Sequence, residues 1–388
     1  MVRSRHPTQM KILITSTSPL KNEALRSVFV ERFGPGLGPG PGPEPGPEPG
    51  PEIVAVNCDV LGLPREPNGE VSTVTCARHR MTYAKALRSA TDPEFDYLVS
   101  IENGICRGWD VCWVVVEHGD LSVIAKSAGV DAGEFLAELE ASGTVTWDRD
   151  SRCVGYGAEI GDVVRGRHPH PEVDPKNWMK IRGVDRRDQI RQALTTAFDD
   201  LEERVTIRKS LVGAYRTYPD FPRPGVQFQD LFALIRDAGH LNHLTYLLER
   251  QYDPPFRHVD YVVGLESRGF LLGILLASRL GVGFVPARKA GRLPGVTVSA
   301  SYEKEYGTDT FEVQADALVP RPAGSTAKPR VLIVDDLIAT GGSLQAVVEL
   351  VTRLGAVVED CCVLREVVPL RGVARAHVKA PYTVLLRD

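Results

Sequence analysis

Two short aliphatic runs, DYVVGLE at 260–266 and RVLIVDDL at 330–337, constrain the fold more than any other feature of the chain. Neither alternates polar with apolar residues, so each suits a strand buried on both faces. Each leads toward a helical stretch that stops at glycine: LLGILLASRLG at Gly281 and LQAVVELVTRLG at Gly355. This alternation predicts a doubly wound α/β domain with a mainly parallel sheet. In such sheets ligands bind beyond the carboxyl ends of the strands.

The end of the second run is VLIVDDLIATGGSL. Adjacent carboxylates repel, and two glycines ahead of a helix cost backbone entropy. A stretch that gives up stability twice in so few residues is read as a site of chemistry. Ala339, Thr340, Gly341, Gly342 and Ser343 form a tight turn into a helix from Leu344. The glycines let backbone N–H groups converge, the helix N-terminus adds positive partial charge, and Thr340 and Ser343 add hydroxyls. That loop suits a phosphate. Asp335 and Asp336 suit the hydroxyls of a sugar.

This stretch resembles the phosphoribosyl pyrophosphate motif of type I phosphoribosyltransferases. Four more stretches narrow the resemblance to adenine phosphoribosyltransferases: YPDFPRPGVQFQDL (218–231), VGLESRGFLLG (263–273), ARKAGRLPG (287–295) and SYEKEYG (301–307). Together they span about residues 206–377 in the family's order. The resemblance implies that Glu266, Ser267, Arg268 and Gly269 form the pyrophosphate-gripping loop, with Arg268 offering a planar fork of donors. It places Arg288, Lys289 and Arg292 on the leaving pyrophosphate, with Mg²⁺ present. SYEKEYG resembles a mobile lid carrying Tyr306, in which Glu305 handles the adenine proton as the glycosidic bond forms. Gln227 and Gln229 stand where the family usually has an aliphatic residue and an arginine on the strip that reads the base, which leaves hypoxanthine or another 6-substituted purine open.

The first half resembles a different family, the inosine/xanthosine triphosphatases, over about residues 10–200. TSTSPLKNEALRSVF, PREPNGEVSTVTCARHRMTYAKAL, DYLVSIENGI and CWVVVEHG carry it. It implies a mixed α/β domain that hydrolyses ITP and XTP with Mg²⁺. Ser16, Thr17, Ser18, Lys21 and Asn103 would meet the nucleotide, and Glu102 and Asp59 the metal. Ser18 replaces the family's asparagine, VST at 71–73 replaces an acidic stretch, and DRRDQI at 185–190 lacks the usual tyrosines.

KILITSTS reads as a strand; Ser18 and Pro19 then start a helix carrying Leu25, Val28, Phe29 and Phe33. IVAVNCDVLGL reads as a second strand. Between them lies a Pro/Gly-rich tract, residues 34–52, expected as an extended acidic loop inserted within a domain. Residues 1–9 are expected to be a disordered start. The domains are expected to divide as 10–203 and 204–388. DQIRQALTTAFDDLEERV reads as one helix, KSLVGAYRTY as a new helical start, and the junction between them as short and polar.

At 388 residues, two domains are expected. The net charge of −4 argues against a general nucleic-acid binder. No apolar run approaches the roughly 18 residues of a membrane span, and MVRSRHPTQM lacks the apolar core of a secretory signal. The seven cysteines include no C-x-x-C pair, as expected of reduced cytoplasmic thiols. These readings combine into a cytoplasmic purine-metabolism fusion, a homodimer acting on adenine, 5-phosphoribosyl 1-pyrophosphate and ITP or XTP. Two alternatives stay open: a regulator that binds phosphoribosyl pyrophosphate without catalysis, and an active transferase beside a non-catalytic scaffold or sensor.

Overall fold

In a computed structural model of the chain, the described residues are 10–34, 51–88, 95–146, 154–168, 174–221, 223–225, 227–252, 258–303, 308–320 and 326–387. The chain divides into two compact units, Met1–Glu203 and Arg204–Asp388.

The main sheet of the first unit runs in the order Glu52–Ala55, Lys11–Ile14, Tyr97–Cys106, Trp109–His118, Leu121–Lys126. The first three strands are parallel and the rest antiparallel, so the sheet is mixed. Tyr97–Cys106 and Trp109–His118 join through Arg107 (φ 53°) and Gly108 (φ 84°), the two left-handed residues of a tight hairpin. The strands expected from KILITSTS and IVAVNCDVLGL are shorter than those stretches; Asp59–Leu61 is already a 3₁₀ turn.

Helix Pro19–Phe33 starts beyond strand Lys11–Ile14 and buries Leu25, Val28 and Phe29. Phe29 meets Phe198 edge-on at 4.8 Å, tying this helix to Arg186–Ala214. Ser18 occupies the cap position, but its hydroxyl makes no capping bond; the Asn22 amide instead donates to the Ser16 and Ser18 carbonyls. A small antiparallel sheet of Glu66–Pro67, Val154–Tyr156 and Thr144–Thr146 sits with a second core built on Ile105, Phe135, Tyr156, Ile160 and Trp178.

The new helical start expected at KSLVGAYRTY does not occur. One helix runs unbroken from Arg186 to Ala214, and the division between units falls inside it. No proline interrupts this segment, and Leu201, Ile207 and Leu211 continue the buried stripe of Ile190, Leu194 and Ala197. The polar residues at 203–208 are therefore a helix face and not a linker.

The second unit has a sheet in the order Thr297–Glu303, Thr308–Gln314, Gly283–Lys289, Tyr261–Leu265, Arg330–Ile338, Val357–Glu366, Tyr382–Val384. Its last five strands are mutually parallel, and Thr297–Glu303 with Thr308–Gln314 forms an antiparallel hairpin on one edge. Helix Arg268–Leu280 supplies Leu272 and Leu276 to the core on one face. Helix Gly342–Arg353 supplies Leu344, Val347 and Val351 to the core on the other. Both aliphatic runs are thus buried on two sides, which is why neither alternates.

Candidate functional sites

Strands Tyr261–Leu265 and Arg330–Ile338 are parallel neighbours with Gly264 opposite Val334. Their carboxyl ends therefore present Glu266–Arg268 and Asp335–Thr340 side by side at the carboxyl end of the sheet's centre. The two ends meet backbone to backbone. A Cβ on Gly269 would lie 2.4 Å from the Val334 carbonyl, and one on Gly264 2.7 Å from the Gly269 carbonyl. The peptide between Glu266 and Ser267 is cis. Across the gap Arg268 Nη1 lies 2.9 Å from Asp336 Oδ2, so two residues expected to hold different parts of one ligand hold each other.

Asp335 and Asp336 belong to the strand, which continues to Ile338, and do not follow it. The Asp336 N–H donates to Asp335 Oδ1 at 2.9 Å. Gly341 is left-handed (φ 85°), and a Cβ there would come within 2.8 Å of Val378. The helix begins at Gly342, and the Gln345 N–H closes onto the Gly341 carbonyl. The N–H groups of Gly342, Ser343 and Leu344 belong to the first turn, which has no partner within a helix. Ala339, Thr340 and Ser343 are half-buried around this loop.

Burial, and then the neighbouring Asp336 charge, pushes the Asp335 carboxyl well above the usual carboxylate range. Burial also pushes Asp336 up, against the pull of Arg268. When unfolded, both ionise near the ordinary value; when folded, they keep their protons to higher pH. The folded chain binds more protons in that window, so its stability falls as pH rises through it. Asp335→Asn is therefore expected to raise the melting temperature at about pH 7, and to give no gain at about pH 3, where the carboxyls are protonated in both states. Thermal melts at the two pH values check this.

The basic segment is organised by Glu266. Its carboxylate receives Arg288 Nε and Nη2, both at 3.2 Å, the Lys289 N–H at 3.1 Å, and Arg292 Nη1. Burial alone would raise Glu266, but these donors hold it below the usual range. Lys289 Nζ pairs with Asp309 at 3.1 Å. Glu312 fixes the turn by accepting the N–H groups of Arg292 (2.9 Å) and Leu293 (2.8 Å). Arg268, Arg288, Lys289 and Arg292 thus each have a carboxylate partner.

Glu305 and Tyr306 lie outside the described residues, between the strands of the edge hairpin, where Glu303 is in register with Thr308. Gln227 and Gln229 lie on strand Gln227–Asp230, paired with Arg216–Pro219. Gln227 is exposed, and Gln229 accepts from Arg365 Nε at 3.0 Å.

In the first unit, Ser16, Thr17, Ser18, Lys21, Asp59, Glu102 and Asn103 all line one cavity of about 650 Å³. Three details differ from expectation. Lys21 is turned onto the Ile101 carbonyl (2.7 Å), and burial lowers its pKa. Ser16 Oγ accepts from the Ser18 N–H at 3.2 Å. Arg80 stands between the two expected metal ligands, 2.8 Å from Glu102 and 3.5 Å from Asp59. A guanidinium thus meets the charge of both carboxylates in this structure.

Sequence reasoning missed Arg80, Glu66, Asp110, Arg186 and Gln189. Arg186 and Gln189 lie within DRRDQI, whose local pattern does not show that they meet Asp110. Glu66 is 5% exposed on the cavity wall and accepts the Ile160 N–H at 3.0 Å. A lone glutamate before a proline carries no signal of such burial. The six described cysteines are buried and form no disulfide with one another.

Comparison with known proteins bears on the second unit. The phosphoribosyl transferase domain family matches residues 240–385. Adenine phosphoribosyltransferase 1 of Saccharomyces cerevisiae is 47% identical over 175 residues, which cover 45% of this chain and 89% of the relative. The adenine phosphoribosyltransferase of Drosophila pseudoobscura pseudoobscura is 44% identical over 178 residues, covering 46% of this chain and 93% of the relative. Among solved structures, the Saccharomyces cerevisiae enzyme, complexed with an imino-altritol bisphosphate and adenine, is 44% identical, with 47% of this chain and 99% of that chain covered and a TM-score of 0.43.

Proposed function

Through its second unit the chain belongs to the adenine phosphoribosyltransferase family, and we propose that this unit joins adenine to 5-phosphoribosyl 1-pyrophosphate, giving AMP and pyrophosphate in purine salvage. The observation that carries the reading is the meeting of the Asp335–Ser343 strand-to-helix segment with Arg268 at the carboxyl end of the central strands. The helix N-terminus and its hydroxyls take the 5-phosphate, and Asp335 and Asp336 take the ribose hydroxyls. Arg268, Arg288, Lys289 and Arg292 leave their carboxylates for the pyrophosphate. Adenine N9 attacks C1′ as the C1′–O bond to pyrophosphate breaks, and Glu305 handles the proton leaving the ring. Mg²⁺ would enter with the phosphoribosyl pyrophosphate and would help spread the charge of the departing pyrophosphate. The binding-only regulator is disfavoured, because sensing needs no Glu305.

Base choice is the sharper test. Gln229 is committed to Arg365, which leaves the reading of adenine to the backbone of this strip. The purified chain, offered adenine, hypoxanthine and guanine in turn with phosphoribosyl pyrophosphate, is expected to form AMP far faster than either other nucleotide. Equal rates with hypoxanthine would reassign the base. A homodimer is the proposed assembly, supported by exposed Leu271 (39%) and Ile274 (52%) on helix Arg268–Leu280.

For the first unit the reading is a purine nucleotide site that hydrolyses ITP or XTP, supported by the gathering of Ser16–Lys21, Arg80 and Glu102 on one cavity. Arg80 and the start of helix Pro19–Phe33 would meet the phosphates. Glu102, 4% exposed, orients Arg80. The full chain is expected to hydrolyse ITP well and ATP poorly with Mg²⁺ in solution, and Glu102→Gln is expected to abolish the activity. Binding of ITP without release of phosphate or pyrophosphate would make this unit a sensor.

A further inference from the structure

Strand Val357–Glu366 runs beside Arg330–Ile338, with Arg365 in register with Leu337, the residue after Asp336. An arginine is out of place in so apolar a strand. Cys361, Cys362, Val363 and Leu364, just before it, are fully buried, and Arg365 is itself only 6% exposed. A buried cation is costly unless its donors are met, so for stability alone an aliphatic residue would suit this strand end. Arg365 Nε donates to Gln229 Oε1 at 3.0 Å and Nη1 to the Leu386 carbonyl at 3.0 Å. Its central carbon lies over the Tyr215 ring, 5.5 Å from the centroid. A guanidinium only donates, so the Gln229 amide must turn its oxygen toward Nε. Gln229 pairs with Thr217 in a sheet of just two strands, Arg216–Pro219 and Gln227–Asp230. Every residue of Arg216–Pro219 is exposed. A two-stranded ribbon is marginal by itself, and Arg365 grips this one on both strands, at Gln229 and at Tyr215 just ahead of Arg216. Tyr215 also faces the sugar end of the site: burial, and then the Asp336 charge, push its hydroxyl above the usual range, against Arg365 and Arg268.

We propose that Arg365 is a positioning residue of the second unit: through Gln229 and Tyr215 it holds the ribbon that carries the base strip in place relative to Asp335 and Asp336. The inference rests on the transferase reading of this unit. Arg365 touches no substrate in this scheme. It stands on the strand next to the two aspartates, so the strip proposed to read the base is anchored to the same sheet as the carboxylates proposed to hold the sugar. The bond to be made joins N9 of the base to C1′ of that sugar, and small misplacements of reacting atoms are costly. Lysine cannot take over, because a single ammonium does not donate along two fixed directions while its carrier lies flat on a ring.

The test is steady-state kinetics of the full chain, with adenine and phosphoribosyl pyrophosphate each varied, for the wild type, Arg365→Lys, Gln229→Leu and the double variant, beside thermal melts of each. Each single variant is expected to raise the Michaelis constant for adenine by about tenfold or more, the effect of one charge-assisted hydrogen bond lost, and to change that for phosphoribosyl pyrophosphate little. The double variant is expected to lose no more than the worse single variant, because both act through one contact. Gln229 is half-buried on the ribbon, so its variant carries the test should Arg365→Lys fail to fold. An unchanged adenine constant in either folded single variant would overturn the inference and leave the transferase reading standing. Equal rises for both substrates would also overturn it, since that is the signature of a purely structural role. Losses that multiply in the double variant would do the same, because Gln229 would then act without Arg365. A wild-type chain that forms no nucleotide from any purine would overturn both.

Discussion

Arg268→Ala is expected to cost the second unit both stability and transferase activity, and a second substitution is expected to separate the two losses. Asp336 is 7% exposed and Arg268 Nη1 lies 2.9 Å away. Removing the guanidinium leaves a buried carboxylate short of a partner, at a cost of about 1–3 kcal/mol. The same guanidinium is the forked donor proposed for pyrophosphate, and loss of a charge-stabilising donor of this kind lowers turnover by about 10²–10³. Arg268→Ala combined with Asp336→Asn removes the stranded charge. The double variant is expected to recover the melting temperature but not the activity. Thermal melts paired with kcat/KM for phosphoribosyl pyrophosphate check both. A single variant with unchanged kcat/KM removes Arg268 from the site. A double variant as unstable as the single one assigns the stability loss to something other than the ion pair.

How much of this was legible in the sequence follows from what each feature depends on. The parallel sheet was readable because unbroken aliphatic runs such as VLIV have few alternatives to a strand covered on both faces. The strand-to-helix turn proposed for phosphate was readable because its parts are consecutive, from Asp335 to Ser343. The pairings were not. Glu266 meets Arg288 and Arg292 only because strands Tyr261–Leu265 and Gly283–Lys289 are parallel neighbours in the sheet. The same limit applies to Arg80, which reaches Glu102 from helix Glu70–Arg88, and to Asp110, whose partners come from three separate segments. The helix restart failed for a local reason: polar residues at 203–208 looked like a linker, yet buried apolar positions continued at helical spacing through them.

Glu305→Gln is expected to lower turnover by about 10²–10⁴, the usual contribution of a positioned proton-transfer group, while changing the Michaelis constants little. The side chain sits in the family's lid motif, SYEKEYG, which continues strand Thr297–Glu303 toward Thr308–Gln314. Beyond the hairpin, Gly283–Lys289 carries Arg288 and Lys289 in register with Glu312 and Phe311. The strand pairing therefore links the sequence that carries Glu305 to the segment proposed to hold pyrophosphate. Glutamine keeps the shape and can still hydrogen-bond to the base, so ground-state binding is retained. It cannot take a proton, so the loss falls on the step in which N9 changes charge. The measurement is kcat and KM for adenine and for phosphoribosyl pyrophosphate, with single-turnover kinetics to confirm that chemistry is the slowed step. Full turnover with weakened adenine binding would make Glu305 a positioning residue and return the proton to another acceptor.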